Sequence, residues 1–541
     1  MSDLPQLVDD YIARTNSWQP AGATGRGFHE HDARLGDRSE RAVEGRMADV
    51  RGLLERANAI DAAALTGHEP YDLDLLRRRL QWELTEHESV RSWRRSPGGY
   101  LGTIGGACNG LVIRDFAPRD DRLRSLVGRL RAVPRLLAQA KTNLTAPSKY
   151  HVETAIEQAS GMRALFERDL PDAAAKSSDG VLKTEFAEAN HAALAAVDAF
   201  AAWMKNDLLP QATEDFAWGA ETMRKLLSET DSIDAPMDAL IKRGEDDLRA
   251  HQQMLRDVAA KIDPSASPAE VVDAVSRDHT SPVQLLPDVV GLLEDLRQFS
   301  IDAGLCTMPT EVRIAVTETP GFSRMTTQAA CSTPGPFETR AKEAYYYVTP
   351  PDAAWPAERV EAYMKFFNRH SIAGVSAHEA YPGHYVHLTY LHRAESVAGR
   401  YLMSITPIEG WAHYVEQVMV EAGWAGGDPR FHLMQIREAL LRLARYRCAF
   451  GLHAEGWTVQ KAIDFFINEG FATPVIAERE TRRGVIGPNY YAYTMGKHEI
   501  LRLRDKLRAR DGAKFDLRRF HDDMMQLPYP VATIEKIMLG A

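Results

Sequence analysis

Apolar residues recur at three- and four-residue intervals along most of this 541-residue chain. That spacing lines one face of an α-helix. RSLVGRLRAVPRLLAQAKTNL (124–144) shows the pattern plainly, and VVDAVSRDHTSPVQLLPDVVGLLEDLRQFS (271–300) predicts a pair of helices. ALLRLARYRCAFGLHAEGW predicts a largely buried helix ending near Gly456. Breaks with turn chemistry fall at SPGGY (96–100), KSSDG (176–180) and DPSASP (263–268). One segment departs from the helical period. EVRIAVTET (311–319) alternates around β-branched residues and EAYYYVTPP (343–351) is aromatic and stopped by proline. With the turn-rich PGFSRMTTQAACSTPGPFETR between them, they predict a strand pair or three-stranded sheet. Such a sheet is either a hairpin packed on helices or an exposed edge that takes an extended peptide. The expected fold is mainly α, with an N-terminal helical region (1–270), a second region (271–541) holding the sheet at about 311–350, and both in one compact unit.

Composition narrows the function. Hydrophobic residues make up 45% and charged residues 26% of the chain, enough for a large core. A formal net charge of −10 argues against a nucleic-acid partner or an anionic membrane surface, both of which call for a basic field. Cys108, Cys306, Cys331 and Cys448 are far apart with no CxxC pair, so neither a cysteine zinc ribbon nor a disulfide framework is expected. They read as buried thiols in a reducing compartment. The opening MSDLPQLVDDYIARTNSW has acids where a signal peptide has bases, and no run of some twenty apolar residues occurs. The expectation is a cytoplasmic protein with no membrane partner.

Candidate chemistry centres on SAHEAYPGHYVH (376–387). In HExxH, two histidines four apart share a helix face and point at one metal ion. Here His378 and Glu379 begin that motif, but the next histidine is His384, rotated about 240° from His378 on an unbroken helix. Pro382 cannot donate to the carbonyl of residue 378, and Gly383 adopts conformations closed to other residues. A bulge or break at Pro382-Gly383 is therefore expected, which would return His384 to the side of His378. A zinc site of this kind needs a third protein ligand. PIEGWAHYVEQVMVEAG puts Glu409, His413 and Glu416 at i, i+4 and i+7, a polar stripe on a helix that starts around Pro407. Glu409 is the natural third ligand, with Glu416 or His413 orienting the histidines. Ligand sets that pair His387 with His378 or with His384 are the alternatives.

HEAYPGH, EGWAHYVEQ, GLHAEGWTVQKAIDFF and AYTMGKHEILRLRDKL, in that order, resemble the DUF885 family of bacterial proteins, similar to gluzincin-type HExxH zinc peptidases. RLRAVPRLLAQAKTNL followed by AIEQASG fits its N-terminal pattern. The resemblance implies a large helical metallopeptidase-like fold with a deep cleft and the small sheet beside the active site. It also implies zinc on His378, His384 and Glu409, with Glu379 as general base. Two departures bear on substrate preference. The family commonly continues as HEAYPGHHLQ, where this chain has Tyr385 and His387, and often has PGQA where this chain has GPNYYAYTMG.

The expected reaction is hydrolysis of short peptides by water that zinc activates and Glu379 deprotonates. Tyr493 and His453 are the candidate oxyanion donors, with Tyr490 and Tyr491 as neighbours of the same type. Arg442, Arg445 or Arg447 could meet a substrate carboxylate, although a salt-bridged face is the plainer expectation. Two other readings share the metal site: hydrolysis of a non-peptide amide metabolite, and a metal-binding protein that does not turn over.

Overall fold

A computed structural model describes residues 3–321, 324 and 327–540. Helices dominate: the predicted α1 (Arg119–Asn143), α3 (Pro268–Ser276) and α4 (Leu285–Asp302) are present, and α2 (Met237–Ile262) precedes α3. The break at DPSASP is also a helix start. Ser267 Oγ accepts the Glu270 N–H while Glu270 accepts the Ser267 N–H, satisfying two donors that α3 leaves open. SPGGY lies differently from the expected turn, because its two glycines open a 13-residue helix, Gly98–Gly110.

Three strands form the sheet: β1 (Ala315–Glu318), β2 (Ala329–Ser332) and β3 (Tyr345–Val348), in the order β1-β3-β2. β1 runs parallel to β3, pairing Ala315 with Tyr345, and β2 runs antiparallel, pairing Ala330 with Tyr347. The parallel pair rules out a simple hairpin and leaves β2 on the outside. Phe322, Ser323, Met325 and Thr326 of the turn-rich stretch lie outside the described residues.

The later helices of the second region follow as α5 (Arg369–Glu379), α6 (His384–Leu391), α7 (Ile405–Glu421), α8 (Pro429–Ala454), α9 (Pro474–Ile486) and α10 (Ala492–Asp511). Core packing runs across residue 270. Leu248, Leu255 and Val271 share a core with Leu433, Ile436 and Leu440 of α8. α2 also meets α8 at Gly244, where a Cβ would lie 2.4 Å from the Tyr446 ring, so only glycine fits. Among the described residues no helix is long and apolar enough to cross a membrane.

Candidate metal centre

Asn368 caps α5 by accepting the N–H groups of His370 and Ser371. The helix ends at Glu379, and α6 opens with His384 as its first residue. Between them the chain doubles back so tightly that a Cβ on Gly383 would sit 1.9 Å from the His378 carbonyl oxygen. The indole of Trp411 on α7 donates to the Pro382 carbonyl at 2.9 Å, tying this connector down. The helix thus breaks at Pro382-Gly383, and the break brings the imidazoles of His378 and His384 to a centroid separation of 4.7 Å at 84°.

Glu409 faces both rings from α7. Its Oε2 lies 3.6 Å from His378 Nε2 and 3.4 Å from His384 Nε2, and ligand atoms of the three residues all lie within 4.8 Å of one another. That oxygen is buried and has no hydrogen-bond partner. A carboxylate oxygen buried between two ring nitrogens without a hydrogen bond leaves an unmet cost that a cation would remove. The donor set therefore fits a metal ion. Behind it, Glu416 accepts from His378 Nδ1 at 2.7 Å and is itself held by Arg442 Nη2 at 2.9 Å. His413 Nδ1 stands 3.4 Å from the other Glu416 oxygen. His384 Nδ1 has no such partner.

Electrostatics follow this arrangement. Burial pushes the His378 imidazolium down, but Glu409 and Glu416 more than offset it and raise its pKa to about 9. Burial would raise Glu409 and Glu416, yet the two histidines hold Glu409, and Arg442 with His378 holds Glu416, well below the carboxylate range. Burial and the Lys497 charge push His413 well down, so it stays neutral.

Glu379 is not in the ligand group. Its Oε2 accepts the main-chain N–H of Cys331 on β2 at 2.7 Å. Gln328 bonds towards β3, and the alternation of the strand then turns the main-chain groups of Ala329 and Cys331 away from β3. Burial and the Glu379 charge push the Cys331 thiol well up, so it is an unreactive thiol. The four cysteines are unpaired, and Cys331 is half-buried rather than buried.

Of the three neighbouring tyrosines, Tyr493 is the one beside the candidate ligand group. Its ring lies 6.2 Å from that of His378 at 26°, and its hydroxyl accepts from Arg483 Nη2 at 3.2 Å. Tyr491 donates to Asp231, and the Tyr490 hydroxyl is buried against Gly484. His453 has to be withdrawn as an oxyanion donor. It is fully buried, packs edge-on to Trp218, and pairs its Nε2 with the Gly484 carbonyl at 2.6 Å. Burial pushes its pKa down to about 4, as for a core histidine. His387 is likewise apart from the ligand group, buried against Trp411, with its pKa pushed down to about 3 by burial. The three arginines are spoken for: Arg442 by Glu416, Arg445 by both oxygens of Glu480, and Arg447 by Glu245 and Glu455.

Two residues at the centre escape sequence reasoning. Lys497 on α10 is buried near Glu416 and Asp247, and burial lowers its pKa. Its i+4 spacing from Tyr493 was the available signal. Arg483 on α9 had none, since its approach to Tyr493 depends on how α9 packs against α10.

The family described as "Bacterial protein of unknown function (DUF885)" matches residues 20–538. No curated protein matches the chain. Two solved structures are similar along the whole chain. One is of a "putative lipoprotein of unknown function" from Shewanella oneidensis, at 25% identity and TM-score 0.83, covering 100% of both chains. The other is of a "putative lipoprotein" from Colwellia psychrerythraea, at 17% identity and TM-score 0.86, covering 100% of this chain and 99% of that one; it shows the shared fold. The Shewanella relative overturns the cytoplasmic expectation, and with it the reducing compartment, because a lipoprotein is held at a membrane by a covalent lipid. The charge and hydropathy of a folded domain carry no trace of such an attachment.

Proposed function

This chain belongs to the DUF885 family, and from that premise we propose that it is a zinc-dependent peptidase acting on short peptides. The observation that carries the reading is the buried Glu409 Oε2, without a hydrogen bond, between His378 Nε2 and His384 Nε2, with Glu379 adjacent in sequence but free of the group. Zinc held by two histidines and a carboxylate supplies a Lewis acid and lowers the pKa of water towards neutrality.

The chain's own residues do the rest. Glu416, fixed by Arg442, holds the proton on His378 Nδ1 and leaves the Nε2 lone pair free for a ligand bond. Glu379 takes a proton from the attacking water and delivers it to the leaving amine. Because Tyr493 accepts from Arg483, its own O–H is free to donate to a developing oxyanion. An extended substrate laid along β2 would meet the outward main-chain groups of Ala329 and Cys331, taking the N–H that Glu379 now accepts. His378 and His384 are 4% and 8% exposed, which favours short, flexible substrates over folded proteins. In this reading the protein works at a membrane, outside the cytoplasm, as the description of the Shewanella relative suggests.

The test is metal analysis of protein purified without chelator, followed by a panel of short peptides set against non-peptide amides. About one zinc per chain with peptide cleavage supports the proposal. Cleavage of amides alone moves it to an amidase, and a chain that takes up no metal ends both.

A further inference from the structure

Arg483 is exposed, and among the described residues no carboxylate lies within ion-pair distance of it. That sets it apart from its neighbours. Glu480, the nearest acid in sequence, has both oxygens engaged by Arg445 at 2.8 and 3.0 Å, and Arg479 lies 3.5 Å from one of them. Two arginines therefore share one glutamate, and Arg483 stands beside them as surplus positive charge. Its Nη2 is committed to the Tyr493 hydroxyl at 3.2 Å, which leaves the other guanidinium donors open. A planar guanidinium with free donors is built to take a carboxylate in a two-pronged contact.

Resting on the peptidase reading above, we propose that Arg483 binds the free C-terminal carboxylate of the substrate, making the enzyme selective for peptides cut close to that end. Spacing supports the assignment. Tyr493 stands at His378, and Arg483 stands one hydrogen bond beyond the tyrosine. One residue of extended chain spans about 3.5 Å, much the same length. A carbonyl oxygen at the Tyr493 hydroxyl thus puts the carboxylate of the following residue in reach of the guanidinium. The arginines considered from sequence, Arg442, Arg445 and Arg447, have carboxylate partners already and do not compete.

The experiment compares a blocked dipeptide ending in a free carboxylate with the same dipeptide ending in a carboxamide. In the intact protein the acid should be preferred by about 100-fold in kcat/KM, chiefly through KM. Arg483→Gln, which keeps a donor for Tyr493, should collapse that ratio towards one, and Arg483→Lys should restore part of it. A second arm measures equilibrium binding of both dipeptides to Glu379→Gln protein with and without Arg483→Gln. Tighter binding of the acid that depends on Arg483 supports the assignment even where turnover is absent. Equal binding of acid and amide, or an acid preference that survives Arg483→Gln, overturns it. Cleavage of neither dipeptide by intact protein counts against the peptidase reading, while the binding arm still decides the role of Arg483.

Discussion

Gly410 of α7 and Gly496 of α10 meet backbone to backbone: a Cβ on Gly410 would lie 2.4 Å from Gly496 Cα, and one on Gly496 would lie 2.1 Å from the Thr406 carbonyl oxygen. This contact draws the face carrying Glu409, His413 and Glu416 up to the face carrying Tyr493 and Lys497. Gly496→Ala must push the helices apart, and overpacking of this kind costs about 1–3 kcal/mol. Thermal unfolding should show that loss. Metal uptake should fall too, because Glu409 moves with α7; a variant with unchanged melting and full metal content would refute the coupling.

Metal affinity should depend on the residue behind the ligand. Glu416→Gln keeps an acceptor for His378 Nδ1 but removes the charge that Arg442 and His378 share. Affinity measured by competition with a chelator should drop roughly 10- to 100-fold. His378→Ala and His384→Ala should each bring the metal content well below one per chain.

Glu379→Gln should keep the metal and lose turnover by about 100-fold or more, the usual contribution of a general base. Tyr493→Phe should lower kcat by about 100-fold with KM little changed, as expected when a donor acts on the transition state alone. Should kcat survive in Glu379→Gln, the base is elsewhere.

Removing the metal should expose a pH dependence. In the folded, metal-free protein His378 holds its proton to about pH 9, whereas an unperturbed histidine releases it near 6.5. Proton binding at His378 therefore adds stability that is fully present below pH 6.5 and is lost as the pH rises through 9. Melting temperatures of chelator-treated protein should fall across that window more steeply than those of His378→Ala. Metal binding should release a proton there, readable by calorimetry in buffers of different ionisation heat.

The grouping of His378, His384 and Glu409 was legible in the sequence because its spacing is local. Two histidines around a proline and glycine, and a stripe at i, i+4 and i+7, report their own geometry. Contacts made across the fold were less readable. Alternation marked β1 and an aromatic, proline-stopped run marked β3, but neither could say that the two pair in parallel, since pairing depends on the path of the chain between them. His453 looked like a cleft residue from its place late in a helix, yet the side it faces is set by Trp218 and the Gly484 carbonyl, both remote in sequence. Arg483 was invisible for the same reason. Location failed differently: the folded part of a protein records how it packs, not where in the cell it is held.

The break at Gly383 has a consequence for how such centres arise. Once a second helix starts afresh at His384, the number of residues between the two histidines is freed from the 3.6-residue turn, and insertions that a continuous helix would reject become neutral. A scan for paired histidines at fixed spacing passes over such sites. Histidine on the last turn of one helix, followed by a glycine and a histidine opening the next, is the pattern to look for among uncharacterised bacterial chains.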